Sequence, residues 1–402
     1  MNLTAGYPFW MIKNGLPYAY PKLLENINTR VVIVGGGISG ALTAYYLTQA
    51  GVGTILVDGR SIGLGSTCAS TSLLQYELDE PLHLLKKKVG EGPAIRAYQL
   101  CGGSIDKLIS LMTDIGYDDY DTCDSIFFTS RGAEKKFIER ECRARLHAGF
   151  QVSVLDKKEM MDRYGMLAEY AILSEKGATV DAYTFTHALL QHSIKKGLRV
   201  YDRTEISEIK SRSNGLELTT QDSFHIRAAN MVNATGFEVV NFISKKIVDL
   251  YCTYATVSEN RKEKDHPWKK NTMFWNTDDP YLYARITRDN RLMAGGRDER
   301  FSNRASRNLY EKKAAQLCKD IGQVFPKIEF KPEFSWSGTF GKTRDSLPYI
   351  GKYPKTPFVY YALGFGGNGI TFSQIAAEMI RDMILGRLNA DAEIFSFERK
   401  DR

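Results

Sequence analysis

The sequence predicts an α/β protein in which a parallel sheet with helices on its faces is interleaved with a second, α+β domain built on a mixed sheet. Three observations predict it. Val31–Val34 is a short apolar run suited to a strand buried on both faces. It passes through a glycine-rich turn into Ala41–Gln49, whose apolar residues recur at helical spacing up to a stop signal at Gly51. Thr54–Asp58 repeats the buried-strand pattern and completes a β-α-β unit. Apolar strands that run into glycines reappear far downstream, at Asn230–Gly236 and Phe358–Leu363, so the parallel elements are split along the chain.

The segments between follow from the same patterns. Tyr183–Lys196 reads as a helix and Leu198–Tyr201 as a strand. Ile206–Lys210, Leu216–Thr220 and Phe224–Arg227 read as short strands, and Phe372–Leu385 as a helix. From Glu77 to Gln151 the pattern is mostly helical, and from Leu250 to Phe301 strand-like and aromatic. The aromatics and prolines before Thr29 suggest an extended arm lying on the folded body. The expected division is 1–29 as this arm, 30–80, 151–245 and 330–390 as the discontinuous parallel-sheet domain, 81–150 and 246–329 as the second domain, and 391–402 as a tail.

A chain of 402 residues, 43% hydrophobic and 25% charged, has room for two domains and a sizeable core without disulfide or metal staples. Its six cysteines are scattered, with no CxxC and no zinc-spaced histidine; no HExxH, GxSxG or P-loop occurs either. No metal site is expected, and the thiols point to a reducing, cytoplasmic compartment. No apolar run approaches the ~20 residues of a membrane span, and the N-terminus lacks the layout of a signal peptide. The net charge of +7 is spread along the chain, which argues against a nucleic-acid partner. One basic cluster, Arg261–Lys270, reads as a solvated loop.

Gly35, Gly37 and Gly40 form GxGxxG between the first strand and its helix. The first glycine allows the tight turn, the second lets a pyrophosphate approach the backbone, and the third lets helix and strand pack closely. The helix N-terminus offers free N–H groups to the phosphates, and Ser39 can add a hydroxyl. Asp58, closing the second strand, is placed to accept ribose hydroxyls and to disfavour a 2′-phosphate. This is a Rossmann-like dinucleotide site, open at this level between NAD and FAD.

Further segments carry a resemblance. Asp58-Gly59-Arg60 leads into GLGSTCASTSLLQYE, where Gly65, Ser66, Thr67, Ser70, Thr71 and Ser72 supply small side chains and hydroxyls, and Leu74 suggests burial. VNATG (Val232–Gly236, with Ala234 and Thr235) and Thr204-Glu205-Ile206 follow. WSGTFGKTRDSLPYIG (Trp336–Gly351) precedes ALGFGGNGIT (Ala362–Thr371). In these the chain resembles the FAD-dependent amino-acid and amine oxidases typified by D-amino acid oxidase, glycine oxidase and sarcosine oxidase, from about Val31 to about Gly386. The resemblance implies that the 65–72 loop wraps pyrophosphate and flavin and that the Glu205-Ile206 backbone faces the adenine. It implies that Asp345 and Pro348 shape a turn. It also implies that Gly338, Gly364, Gly366, Gly367, Asn368, Gly369, Ile370 and Thr371 lie close to the isoalloxazine ring.

The departures matter as much. Gly338 stands where sarcosine oxidase-like members carry a flavin-bonded cysteine, so FAD is expected to be held non-covalently; Cys68 reads as a buried, inert thiol. Phe340 stands where glycine oxidase-like members place a carboxylate-clamping arginine, and GGNGIT lacks a basic residue. Arg285 is the available substitute. It alternates with Tyr281 and Tyr283, which puts all three on one strand face, and Gln75 is a further candidate for the pocket. Met293 stands where some oxidases hold an oxygen-activating lysine, so the acceptor is dioxygen or another oxidant. The implied activity is FAD-dependent oxidation of a C–N bond in a small-molecule amine or N-substituted amino acid, with hydride passing to flavin N5. The alternatives are a dehydrogenase of a hydroxy acid or polyol phosphate, with Arg285, Arg288 and Arg297 as possible phosphate ligands, and an RNA-modifying flavoprotein. The oligomeric state is not legible.

Overall fold

The structure is a computed structural model. It describes all residues except 1–3, 242, 244–246, 263–265, 267, 269–270, 302–306 and 400–402. Much of the basic cluster Arg261–Lys270 therefore lies outside the described residues.

The chain opens with β1 (Thr4–Gly6) and α1 (Phe9–Asn14), then enters the β-α-β unit of β2 (Ile27–Val34), α2 (Ile38–Gln49) and β3 (Thr54–Val57). The expected extended arm is thus partly helical, and β2 begins four residues earlier than its apolar run. A short helix α3 (Ser66–Ala69) and β4 (Leu73–Leu74) lead to α4 (Leu82–Val89) and α5 (Glu91–Asp114). Next come β5 (Tyr120–Thr122), β6 (Asp124–Thr129), α6 (Lys135–His147), β7 (Val152–Asp156), α7 (Lys157–Tyr164), β8 (Tyr170–Ser174) and β9 (Ala178–Val180). The chain returns through α8 (Ala182–Ile194), β10 (Arg199–Tyr201), β11 (Ile206–Arg212), β12 (Gly215–Thr220) and β13 (His225–Asn233). A run of strands, β14 (Val248–Ser258), β15 (Thr272–Asn276), β16 (Tyr283–Ile286) and β17 (Leu292–Arg300), is followed by α9 (Arg307–Val324) and β18 (Pro332–Thr343). Finally β19 (Tyr349–Lys352), β20 (Val359–Leu363) and α10 (Gly369–Ile384) complete the fold.

One sheet has the order β10-β3-β2-β13-β12-β11, with β20 also pairing β13 and β19 pairing β20. Its centre is parallel: β2 runs beside β3 and β13, and β13 beside β20. Val31–Val34 are buried on both faces, as the unbroken apolar run requires. Helix α2 has apolar residues all round because it is wedged between the sheet, α8 and α10. The two runs Phe224–Arg227 and Asn230–Asn233 join into the single strand β13, since no turn residue separates them and β2 pairs along the whole length.

The second sheet has nine strands, β1-β18-β14-β17-β16-β15-β6-β8-β7, all antiparallel except the β15–β6 pair. Strands β7 and β8 sit at its edge although 151–245 is expected to lie with the parallel sheet, and β18 belongs to it as far as Thr343. Short apolar runs state that a strand is buried but not which sheet it joins. A third, small sheet, β4-β9-β5, takes one strand, β5, from the stretch Glu77–Gln151 read as mostly helical, which also holds β6. No helix among the described residues is long and apolar enough to cross a membrane.

Candidate cofactor and active site

A cavity of about 830 Å³ runs from the glycine turn after β2, past the C-terminal ends of the parallel strands, to the strands of the nine-stranded sheet. Backbone requirements fix its first wall. Gly35 has φ +113°, and a Cβ there would lie 2.3 Å from the Ala234 carbonyl oxygen. A Cβ on Gly40 would lie 1.9 Å from the Gly35 carbonyl oxygen, so Gly40 does not line the cavity but lets α2 start against β2. Asp58 accepts from the Gly36 N–H at 2.6 Å and the Arg60 N–H at 2.8 Å. Burial pushes its carboxyl up, opposed by these two backbone bonds.

Gly37 precedes α2 and Asn368 precedes α10, neither capping its helix with a side chain, and both N-termini open onto the cavity. The Ile38 N–H of α2 donates to Thr67 Oγ1 at 3.0 Å; the remaining first-turn N–H groups, with the positive end of the helix dipole, are the donor set that a pyrophosphate or a negatively charged ring needs. Ser39 joins the two helices, its hydroxyl 2.6 Å from that of Ser373.

The cavity brings together most of the residues singled out in the sequence. Gly35, Gly37, Ser39, Asp58, Gly59, Arg60, Gly65, Ser66, Thr67, Ser70, Thr71 and Ser72 line it. So do Glu205, Ile206, Ala234, Thr235, Gly236, Gly338, Gly364, Gly366, Gly367, Gly369 and Ile370. Two indoles hold the loop between: Trp10 Nε1 donates to the Ser70 carbonyl at 2.7 Å and Trp336 Nε1 to that of Ala69 at 2.8 Å. Cys68 points away from the cavity, its thiol donating to the Gly65 carbonyl at 3.2 Å and pushed up to about 12 by burial. That thiol is unreactive.

Five expected cofactor residues serve the scaffold instead. Besides Gly40, Leu74 turns into the core while its strand neighbour Leu73 faces the cavity, the alternation of a β-strand. Asp345 is buried in its turn, accepting from Leu347 N and pairing with Arg399 at 2.7 Å. Asn368 donates to the carbonyls of Gln75 and Glu77 at 3.1 and 2.8 Å, tying the glycine loop to the segment after β4. Thr371 is turned inward, its hydroxyl donating to the Asn368 carbonyl.

Tyr283 and Gln75 line the far end of the cavity, with Tyr281, Phe340 and Thr253. Arg285 does not. Strand β16 advances ~7 Å in the two residues beyond Tyr283, which carries the same face under β9 and α1. There the guanidinium lies 5.2 Å from the Trp10 ring centre and donates to the Val180 carbonyl at 3.3 Å; its Nε meets no partner. Burial pushes it down to about 10. Arg288 and Arg297 are engaged elsewhere, Arg288 with Asp118 and Arg297 with Asp320 at 2.7 Å. Met293 is buried beside Trp336 and does not line the cavity.

Two acidic residues went unread in the sequence. Asp79 accepts from Tyr281 Oη and from the Gly367 N–H, both at 3.0 Å, and so fixes the tyrosine against the glycine loop. Asp298 faces into the cavity because β17 bulges: Cys252 pairs with Glu299 and Tyr254 with Gly296, leaving Arg297 and Asp298 opposite Thr253 alone. Arg297 takes the left-handed φ of 59° that the bulge demands. Burial raises the Asp298 carboxyl to about 6, with the Thr253 hydroxyl and Lys342 opposing. A period-two reading cannot see a bulge, and the acid-rich GGRDER offered no other signal.

The family model described as "FAD dependent oxidoreductase" (DAO) matches residues 30–383. The chain is 23% identical, over 97% of its length and 75% of theirs, to a Bacillus subtilis (strain 168) protein named as a Rieske 2Fe-2S iron-sulfur protein. It is 23% identical to gamma-glutamylputrescine oxidoreductase of Escherichia coli (strain K12), covering 94% of this chain and 87% of that one. The crystal structure of glycine oxidase from Geobacillus kaustophilus superposes with a TM-score of 0.80 at 21% identity, over 93% of this chain and all of that one (100%). By its family match and by a fold that carries the dinucleotide turn at the head of one long cavity, the chain belongs to the DAO family of FAD-dependent oxidoreductases.

Proposed function

We propose that the chain oxidises the C–N bond of an amine or N-substituted amino acid with a non-covalently held FAD. The observation that carries this reading is the single cavity that joins the glycine turn to a pocket of Tyr281, Tyr283, Gln75 and Asp298. The residues fit the cofactor. The α2 N-terminus with Ser39 would hold the pyrophosphate, Asp58 the ribose, and the Glu205–Ile206 backbone the adenine. Gly364–Ile370 and the 65–72 loop would hold the flavin. FAD, when bound, supplies the acceptor for the substrate's hydride.

The chain's own residues bind, orient and exclude water. Tyr281, held by Asp79, and Tyr283 form an aromatic wall with ring centres 5.8 Å apart, against which an alkyl amine can lie. The α10 N-terminus stabilises negative charge that develops beside it. Gly338 leaves no thiol where a covalent link would form, and Cys68 is turned away. The parallel-sheet part would thus carry the cofactor and the nine-stranded sheet the substrate. The phosphate-substrate alternative loses its ligands, because Arg285, Arg288 and Arg297 all lie outside the cavity lining. Six free cysteines fit a reducing cytoplasm.

Purified protein should show flavin absorption, and acid precipitation should leave all flavin in the supernatant; flavin in the pellet would refute non-covalent binding. Anaerobic titration with a panel of amines, amino acids and hydroxy acids should bleach the flavin with amines. Bleaching by hydroxy acids alone would overturn the C–N reading. The rate of reoxidation by air then separates dioxygen from another acceptor.

A further inference from the structure

We propose that Asp298 is the specificity-determining residue of this cavity and that it selects a cation: the substrate amine enters as an ammonium ion, pairs with the Asp298 carboxylate beside Tyr281 and Tyr283, and gives up one proton to it. This rests on the C–N oxidation reading above and adds to it the charge of the substrate and the base that neutralises it.

The backbone is bent to put this carboxylate where it is. The bulge at Arg297–Asp298 aims the side chain into the cavity at the cost of a non-glycine residue at positive φ. Once there, the carboxylate has no salt-bridge partner among the described residues. The groups that face it are mostly acidic or aromatic: Asp79 after β4, Asp279 before β16, and Tyr281 and Tyr283. Lys342 on β18 is the cation that acts on it, but its Nζ lies over the Tyr251 and Phe340 rings, 5.4 Å from each centre. The Thr253 hydroxyl, buried beside Asp298 and Tyr283, acts on both and keeps an acceptor oxygen toward the same space. An acceptor oxygen, a carboxylate and two aromatic faces converge on one space, which is the coordination an ammonium ion takes.

The opposite charge finds nothing here. Among the described residues lining the cavity, Arg60 is the one lysine or arginine, and it is bound bidentately by Glu238 next to Asp58 at the nucleotide end. A substrate carboxylate or phosphate would enter unpaired, and no apolar side chain replaces a guanidinium fork. Phe340 in the cavity wall fits the same preference.

The step balances as a proton transfer. One N–H bond of the ammonium breaks, its electron pair stays on nitrogen as a lone pair, and the proton goes to an Asp298 oxygen. The neutral amine is then able to give up hydride to FAD. Asp298 returns its proton to water when the product leaves.

The test uses FAD-loaded protein and tert-butylamine, which is cationic and has no α-hydrogen to lose, with acetate as the anionic control; binding is read from the flavin spectrum. Wild-type protein at pH 8 should bind tert-butylammonium in preference to acetate. Asp298→Asn should weaken the amine at least tenfold without weakening acetate, and Asp298→Glu should recover part of the loss. In the wild type, amine affinity should fall tenfold per unit as pH drops below about 6 and stay level above it. That series needs no variant, and so decides the matter if Asp298→Asn does not fold. Preference for acetate, no amine binding, equal binding by Asp298→Asn, or a flat pH series would each overturn the proposal. The C–N reading is judged separately. If no amine bleaches the flavin while tert-butylammonium binding still depends on Asp298, the C–N reading falls and the charge preference stands. If amines bleach Asp298→Asn with wild-type rate and affinity, the reverse holds.

Discussion

At the nucleotide end of the cavity the protein presents mostly backbone; at the substrate end it presents mostly side chains. Glycines at which a Cβ would run into main-chain oxygens, and two helix N-termini, shape the first. Tyr281, Tyr283, Gln75, Phe340 and Asp298, drawn from separate segments, shape the second. A backbone site tolerates no Cβ where main chain closes on main chain, as at Gly35 and Gly40, but is indifferent to most side chains nearby. A side-chain site tolerates exchange of any one residue as far as folding goes and changes its preference instead.

The sharpest way to break this contrast is at Gly40. A valine there would drive its Cβ into the Gly35 carbonyl, and backbone cannot yield as a flexible side chain can. Gly40→Val should cost more than tenfold in FAD content and lower the thermal midpoint; a flavin-loaded, wild-type-like variant would refute the demand for bare backbone.

Asp298 comes next, through stability. The fold holds its carboxyl near 6, above the ordinary value of 3.8. Below pH 4 folded and unfolded chains both keep the proton. As pH rises from 4 to 6 the unfolded chain ionises first and stability falls, and above 6 the loss is complete and constant. Asp298→Asn should therefore melt a few degrees above wild type at pH 8 and together with it at pH 4; a midpoint difference independent of pH would show that the carboxyl is not shifted.

A smaller effect is expected at Arg60, whose half-exposed pair with Glu238 is worth about 1 kcal/mol at most. Arg60→Ala should weaken FAD by roughly fivefold or less, measured by fluorescence titration of the apoprotein. The smallest belongs to Arg285. Outside the cavity and with one weak hydrogen bond, its buried charge contributes little that an apolar side chain would not. Arg285→Met should leave KM and kcat for a bleaching amine within about threefold of wild type; a tenfold rise in KM would return the arginine to the substrate.

The same contrast explains what could be read in advance. GxGxxG, Asp58 and the 364–370 glycines are legible because a backbone site needs residues of fixed type at fixed spacing. The β-α-β unit is legible because Val31–Val34 and Thr54–Val57 are apolar throughout. Asp345 and Asn368 sit inside those motifs but face the scaffold, a distinction made by side-chain direction and not by spacing. Arg285 does share a strand face with Tyr283, as alternation requires, but that face outruns the cavity. Asp298 depends on a bulge whose partner strand lies some 45 residues away in sequence, and no local pattern announces it.

One pairing has a consequence for the time at which the site comes into being. Thr4 lies opposite Gly338, and Gly6 opposite Trp336, whose indole holds the loop at Ala69. As the chain is synthesised, β1 waits for a partner strand more than 300 residues downstream, and the loop beside the dinucleotide turn stays without one of its two indole anchors until then. Non-local closure of this kind is slow and leaves strand edges open meanwhile. The cavity is late in the same way, because its lining from Gly338 to Ile370 exists only once β18 and the start of α10 have been made.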